Sequence, residues 1–350
     1  MDKQQRKILE FFSVKRISIP ITIGITATAL LFLKDFRFDA IQNFKWADIS
    51  LPYLLLSLLM VLLREGALML RLKVVAGGTL SWKQCFQIII LWSFASAATP
   101  TIIGGGAIAF FILHKEGIKL GRATGIVLIC TVLDEISYLF LVPIVISLTG
   151  TQNLLVASPG YLFLDFEVGV IGLFAVANSI ICLYVILVLY GVFVNPRAIK
   201  KLLLRIFRLS FLGKWQSKAE EVGNDIIITS REFKQKKLPF WLKVFGASVG
   251  MWVARFGIVN FLILTFVGYG DQLLIFARQV VIWALLLVSP TPGGSGIAEY
   301  SFAGFLGEFI PDQSLVPALG VMWRLISYYP FLILGLFVMP AWIKRVYKKN

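Results

Sequence analysis

Charge is what this sequence has least of. Of its 350 residues, 15% are charged and 58% hydrophobic, where a soluble chain averages about 25% charged and about 45–50% apolar. Too few polar side chains exist to coat soluble domains, and the same arithmetic excludes a disordered or collagenous chain. Histidine is nearly missing. His114 stands alone beside Lys115 and Glu116 at the end of an apolar run, which speaks against a zinc site and for an interfacial position. The three cysteines, Cys85, Cys130 and Cys182, sit inside apolar runs without Cys-x-x-Cys spacing. They read as small buried residues rather than a disulfide or metal set. No Gly-x-x-x-x-Gly-Lys, His-Glu-x-x-His or Gly-x-Ser-x-Gly pattern occurs, so no nucleotide or cofactor site is expected. No small-residue cleavage site follows Ile17–Leu33, so the N-terminus is not expected to be a cleaved signal.

What the sequence has in abundance is apolar length. Aromatic residues make up 14% of the chain, 29 of them Phe. The expected fold is an all-α polytopic membrane protein forming a single integral membrane domain over residues 1–350. A bilayer core about 30 Å thick takes roughly 20 apolar residues per helix. Spans are predicted at 17–33, 49–70, 123–149, 168–194, 241–267 and 314–340. Two further apolar stretches, 84–113 and 272–310, are broken in the middle by Thr99-Pro100-Thr101 to Gly104-Gly105-Gly106 and by Ser289-Pro290-Thr291-Pro292-Gly293-Gly294-Ser295-Gly296. Proline interrupts the helix ladder and glycine permits reversal.

Basic residues decide how these stretches sit, because cytoplasmic loops carry the excess of Lys and Arg. Lys3, Arg6, Lys7, Lys15 and Arg16 place the N-terminus inside, and Lys344, Arg345, Lys348 and Lys349 do the same for the C-terminus. Arg71, Lys73 and Lys83 precede the first broken stretch, and Lys115, Lys119 and Arg122 follow it. Both flanks are therefore cytoplasmic, and the stretch is expected to enter the membrane and return. The second broken stretch is flanked by Gly268–Asp271 and Pro311-Asp312-Gln313, which lack basic residues. It is expected to return to the outer side. The expectation is about six full spans and two re-entrant hairpins from opposite faces, in a cell inner membrane.

The chain also resembles itself. Met60-Val-Leu-Leu-Arg64-Glu65-Gly66 is similar to Met251-Trp-Val-Ala-Arg255-Phe-Gly257, and a broken tip and then membrane-embedded charge follow in each half: Asp134 and Glu135 in the first, Arg324 in the second. The offset is about 190 residues, and the two halves begin on opposite sides. Residues 1–150 and 168–345 are thus expected to be inverted repeats, a plan of many secondary transporters. Irregular backbone at membrane depth must be buried in protein or face a wet cavity, and hairpin N-termini favour an anion such as phosphate. Intramembrane ionisable groups usually face such an interior. The candidate substrate-binding set is Arg64, Glu65, Pro100, Gly104, Gly105, Gly106, Asp134, Glu135, Arg255, Pro292, Gly293, Gly294, Gly296, Glu299 and Arg324. Arg278 stands close to Asp271 and could snorkel to the interface. Residues 195–240 form a basic cytoplasmic loop whose 197–209 segment is amphipathic. It suits an interfacial helix on an anionic leaflet better than nucleic acid.

These residues carry a family resemblance. Thr99-Pro100 to Gly106, with Lys119-Leu-Gly-Arg-Ala123 and Asp134-Glu135, resembles the first signature of the lysylphosphatidylglycerol synthase transmembrane family, and Pro290-Thr-Pro-Gly-Gly-Ser-Gly-Ile-Ala-Glu299 with Arg324 resembles the second. The likeness spans about residues 10–345. In the multiple peptide resistance factors of that family, this region is a flippase for aminoacylated phosphatidylglycerol, followed by a soluble aminoacyl-transferase. The resemblance implies that this chain, ending at Asn350, carries the lipid-moving part without the synthase.

The leading expectation is a flippase-like transporter for a phospholipid or polyprenyl-phosphate lipid, with no catalytic residue. Arg64, Arg255 and Arg324 would bind phosphate. Glu65, Asp134, Glu135 and Glu299 would neutralise those arginines or bind a cationic head group. A lipid-modifying membrane enzyme and a scaffold for a partner enzyme are the alternatives, and a homo-oligomer stays open.

Overall fold

The computed structural model describes residues 49–98, 105–155, 167–206, 216–287, 289, 291 and 293–347. The predicted span 17–33, most of the first break (99–104) and the prolines 290 and 292 of the second lie outside them. The described residues are helical, with no strand among them. In chain order the helices are α1 (Leu51–Val75), α2 (Trp82–Ala98), α3 (Gly106–Lys115), α4 (Leu120–Thr149), α5 (Glu167–Leu189), α6 (Pro196–Ile206), α7 (Gln216–Lys234), α8 (Leu238–Val267), α9 (Gln272–Leu287), α10 (Ile297–Leu306), α11 (Val316–Ser327) and α12 (Tyr329–Tyr347).

Five segments are long and apolar enough to cross a membrane: Leu51–Val75, Leu120–Thr149, Gly169–Val194, Leu238–Val267 and Gln313–Val346. They fall where five of the six spans were predicted. Their ends follow local chemistry. Proline stands in the first turn of both α1 and α8, where its missing N–H costs nothing. Gly268, left-handed at φ 77°, ends α8. The last segment is interrupted at Tyr328 (φ −127°, ψ −59°), two residues before Pro330, which has no N–H to carry the helix ladder across the junction.

Large apolar side chains cover the outside. Leu62 is 69% exposed and Phe337 75%, and Leu51, Leu55, Ile180, Leu183 and Ile186 are exposed as well. Soluble monomers rarely show such continuous apolar surface, whereas lipid is its natural solvent. The chain is a multi-pass helical membrane protein.

Inside, two apolar clusters form. One gathers α2, α3, the first half of α4 and α12 around Phe94, Leu113 and Trp342. The other gathers α8 to α11 around Trp252, Phe256 and Phe302. Each contains a pair of consecutive helices, α2 with α3 and α9 with α10, and the two helices of each pair pack on each other. The most extensive helix contact joins α1 to α8. Ser50 N donates to Thr265 O at 3.0 Å, Ser57 Oγ donates to Ile258 O at 2.9 Å, and Met60 lies against Gly257. Rising numbers on one helix meet falling numbers on the other, so the two Arg-x-Gly helices run antiparallel.

The described part of segment 195–240 contains two helices, α6 and α7. Helix α6 packs on α7, and α7 docks on the start of α4. Glycine makes the docking possible. A Cβ on Gly121 would overlap Asp225 and the carbonyl of Val222, and one on Gly125 would meet Thr229 at 2.6 Å.

Candidate functional site

A cavity of about 330 Å³ takes its walls from both clusters, with Ile89, Ala97 and Tyr328 from the first and Phe256, Ile282 and Phe302 from the second. That is the lower end of ordinary ligand cavities, about 300–1,000 Å³. Four arginines line it: Arg64, Arg71, Arg255 and Arg324. Arg64 and Arg71 stand two turns apart on α1 and therefore share a face.

Three of the four are neutralised within the chain. Arg64 Nε donates to Glu65 Oε1 at 2.8 Å, and its guanidinium lies over the Phe331 ring at 4.7 Å. Arg71 Nη1 donates to the Asp134 carboxylate and to Ser248 Oγ at 3.0 Å. Arg324 Nη2 donates to the Gly293 carbonyl at 2.9 Å. Its Nε is 3.2 Å from Glu299 Oε1, an ion pair outside hydrogen-bonding geometry.

Arg255 is different. Its guanidinium lies over the rings of Trp283 and Trp252, at 4.6 and 5.1 Å from their centroids. Its Nε is buried without a hydrogen-bond partner, and among the described residues no carboxylate comes within ion-pair distance of it. The two rings hold the cation by its face and leave the planar fork of donors, which matches phosphate geometry, unspent.

The second break is ordered by its glycines. Gly293, Gly294 and Gly296 are left-handed at φ 57°, 68° and 85°, a region L side chains avoid. Gly293 lines the cavity, while Gly294 packs against Leu286. Helix α10 starts behind Gly296, whose N–H donates to Glu299 Oε2 at 2.7 Å. The anion expected at this N-terminus is thus supplied from within the chain, by a carboxylate that also faces Arg324. In the first break, Gly105 N donates to Ser96 Oγ at 2.9 Å and Gly106 opens α3; neither lines the cavity. Pro100, Gly104 and Pro292 lie outside the described residues.

The structure brings Arg64, Glu65, Asp134, Arg255, Gly293 and Arg324 together around one cavity. Asp134 pairs with Arg71 rather than with the arginines singled out from sequence. Glu135 does not line the cavity, and its Oε2 is buried without a partner. Arg278 does not snorkel. It is 3% exposed, paired with Glu308 at 2.8 Å, and donates to the carbonyls of Asn153 and Phe305. Sequence reasoning missed Arg71, Trp283 and Tyr328. Arg71 was counted among topological charges, although its spacing of two turns from Arg64 marks the same helix face.

With the geometry in place, comparison with known proteins adds a lineage. The family model for the lysylphosphatidylglycerol synthase TM region matches residues 18–335. A UPF0104 membrane protein of Archaeoglobus fulgidus is 26% identical over 348 residues, covering 95% of this chain and 99% of that protein.

Proposed function

The chain belongs to the lysylphosphatidylglycerol synthase transmembrane family, and from that premise we propose that it is a flippase-like transporter moving a phosphate-bearing lipid, a phospholipid or a polyprenyl phosphate, between leaflets, rather than an enzyme. The observation that carries the reading is Arg255: a cation on a cavity wall, held by two indoles and, among the described residues, in no ion pair at contact distance. A buried unpaired charge is costly, and an incoming phosphate relieves that cost. A cavity of about 330 Å³ suits a head group, with the acyl or prenyl chains left in the surrounding lipid.

The arrangement proposed around it has both termini on the cytoplasmic side of an inner membrane, α2–α3 and α9–α10 re-entering from opposite faces, and α6 against the anionic leaflet. The antiparallel packing of α1 on α8 is the contact an inverted repeat would make between equivalent helices.

Reconstitution tests it. The protein goes into phosphatidylcholine vesicles containing traces of fluorescent phosphatidylglycerol, phosphatidylethanolamine or polyprenyl phosphate, and outward and inward dyes are distinguished by chemical quenching. At least one phosphate lipid should move between leaflets faster than in empty vesicles, and Arg255→Lys should slow it, because lysine cannot copy bidentate recognition. Equal rates with and without protein for every lipid would end the proposal.

A further inference from the structure

Tyr328 stands where the two broken segments meet. It occupies the interruption of the last membrane segment, buried at 8% exposure. On one side its hydroxyl donates to the carbonyl of Ala97 at 3.0 Å. Ala97 lies in the last turn of α2, where carbonyls lack a partner within the helix. On the other side its ring lies against Gly293, and a Cβ there would overlap it. The ring face is covered by the Arg324 guanidinium, 3.7 Å from its centroid, and Arg324 in turn holds the Gly293 carbonyl. One side chain therefore touches the end of the first helix of one broken pair, the glycine turn of the other, and a cavity arginine.

Packing alone explains the ring but not the hydroxyl. Phenylalanine would fill the same space against Gly293 and Arg324. The hydroxyl adds a directional link to a segment 231 positions away in the chain. That bond joins neutral groups, and the same hydroxyl also has Ser295 of the second glycine turn as a side-chain hydrogen-bond partner.

We propose that Tyr328 is a positioning residue that couples the two broken segments. Anion binding beside Arg324 draws the guanidinium from the Gly293 carbonyl, the ring follows, and the hydroxyl passes the shift to the end of α2. The inference rests on the lipid-binding function proposed above and adds to it the part that makes the two segments move together.

The test needs a reporter on α2 away from the cavity. Lys83 is exposed at the start of that helix. In the full chain with Cys85, Cys130 and Cys182 replaced by serine or alanine, Lys83→Cys carries an environment-sensitive dye. Dioctanoylphosphatidylglycerol in detergent is the probe ligand, and its binding is measured separately by equilibrium dialysis. Saturating ligand should change the dye emission. At matched occupancy, the emission response per bound ligand of Tyr328→Phe should be at least about fivefold smaller than that of the parent, the lower end of ordinary coupling between sites. A hydroxyl with a merely structural role would alter stability or the bound fraction but not the response at fixed occupancy. Gly293→Ala, which forces a methyl against the ring, gives a second route to the same uncoupling. A full response in either folded variant, or no response in the saturated parent, overturns the coupling while leaving the lipid site standing. A parent that binds no ligand removes the lipid reading first, and this inference with it.

Discussion

Arg71 and Asp134 lie 63 positions apart in the chain and form an ion pair in the cavity wall. The pair ties α1 to α4, and Ser248 Oγ accepts a second bond from the same guanidinium nitrogen, bringing in α8. The Asp134 carbonyl also accepts from Trp252 Nε1 at 2.8 Å. Three helices thus depend on one buried charge pair.

Breaking one side of such a pair leaves the other charge stranded. Asp134→Ala alone is expected to cost about 3–5 kcal/mol, read as an early thermal unfolding transition in detergent. Arg71→Met combined with Asp134→Leu should recover most of it. A double variant as unstable as the single one would mean that the pair is not what holds the helices.

Arg255 and Arg324 should part company in the same assay. Arg324→Leu takes away the cation paired with Glu299 and is expected to destabilise the protein by about 3–5 kcal/mol. Arg255→Leu breaks no ion pair at contact distance among the described residues and should unfold close to the parental temperature. In vesicles Arg255→Leu should slow lipid movement by roughly 10- to 100-fold, the worth of a charge-assisted hydrogen bond of about 1.5–3 kcal/mol. Parental transport by Arg255→Leu would take Arg255 out of the binding site.

The seam between α4 and α7 gives a purely steric prediction. Gly121→Ala places a methyl on Asp225 and the Val222 carbonyl, and overpacking of that kind costs about 1–3 kcal/mol. Gly172→Ala, with open space around it, is the control and should unfold with the parent. Equal stability of the two variants would contradict the close packing of α7.

How much of this could be read beforehand depends on what kind of signal a residue carries. Apolar length is a one-dimensional property, so five spans were legible to within about six residues, and the glycines at 293, 294 and 296 marked the second break. The partners of the charges were not. Asp134 and Glu135 are neighbours in sequence, yet one pairs with Arg71 and lines the cavity while the other does neither; adjacent helical positions point about 100° apart, and only packing decides which points inward. Arg71 was misplaced because a basic residue near a helix end looks the same whether it faces water or a cavity. Tyr328 had no signal beyond its place two residues before Pro330.

Topology has a direct chemical test. Single cysteines at Lys115 and at Asp312, in a background free of Cys85, Cys130 and Cys182, should react with an impermeant maleimide from the cytoplasmic and the outer side respectively. Labelling of Lys115→Cys from outside would show that α2 and α3 together cross the membrane and would reverse everything after them.

The contact of Arg255 with two indole rings, 4.6 and 5.1 Å from their centroids, also has an optical consequence. A guanidinium resting on an indole perturbs its excited state, so Trp252 and Trp283 report the position of that cation in their ultraviolet emission. With the other tryptophans changed to phenylalanine, the chain becomes its own dye. Each arriving anion that draws Arg255 from the rings is then recorded as a change of light, on an unlabelled molecule and in real time.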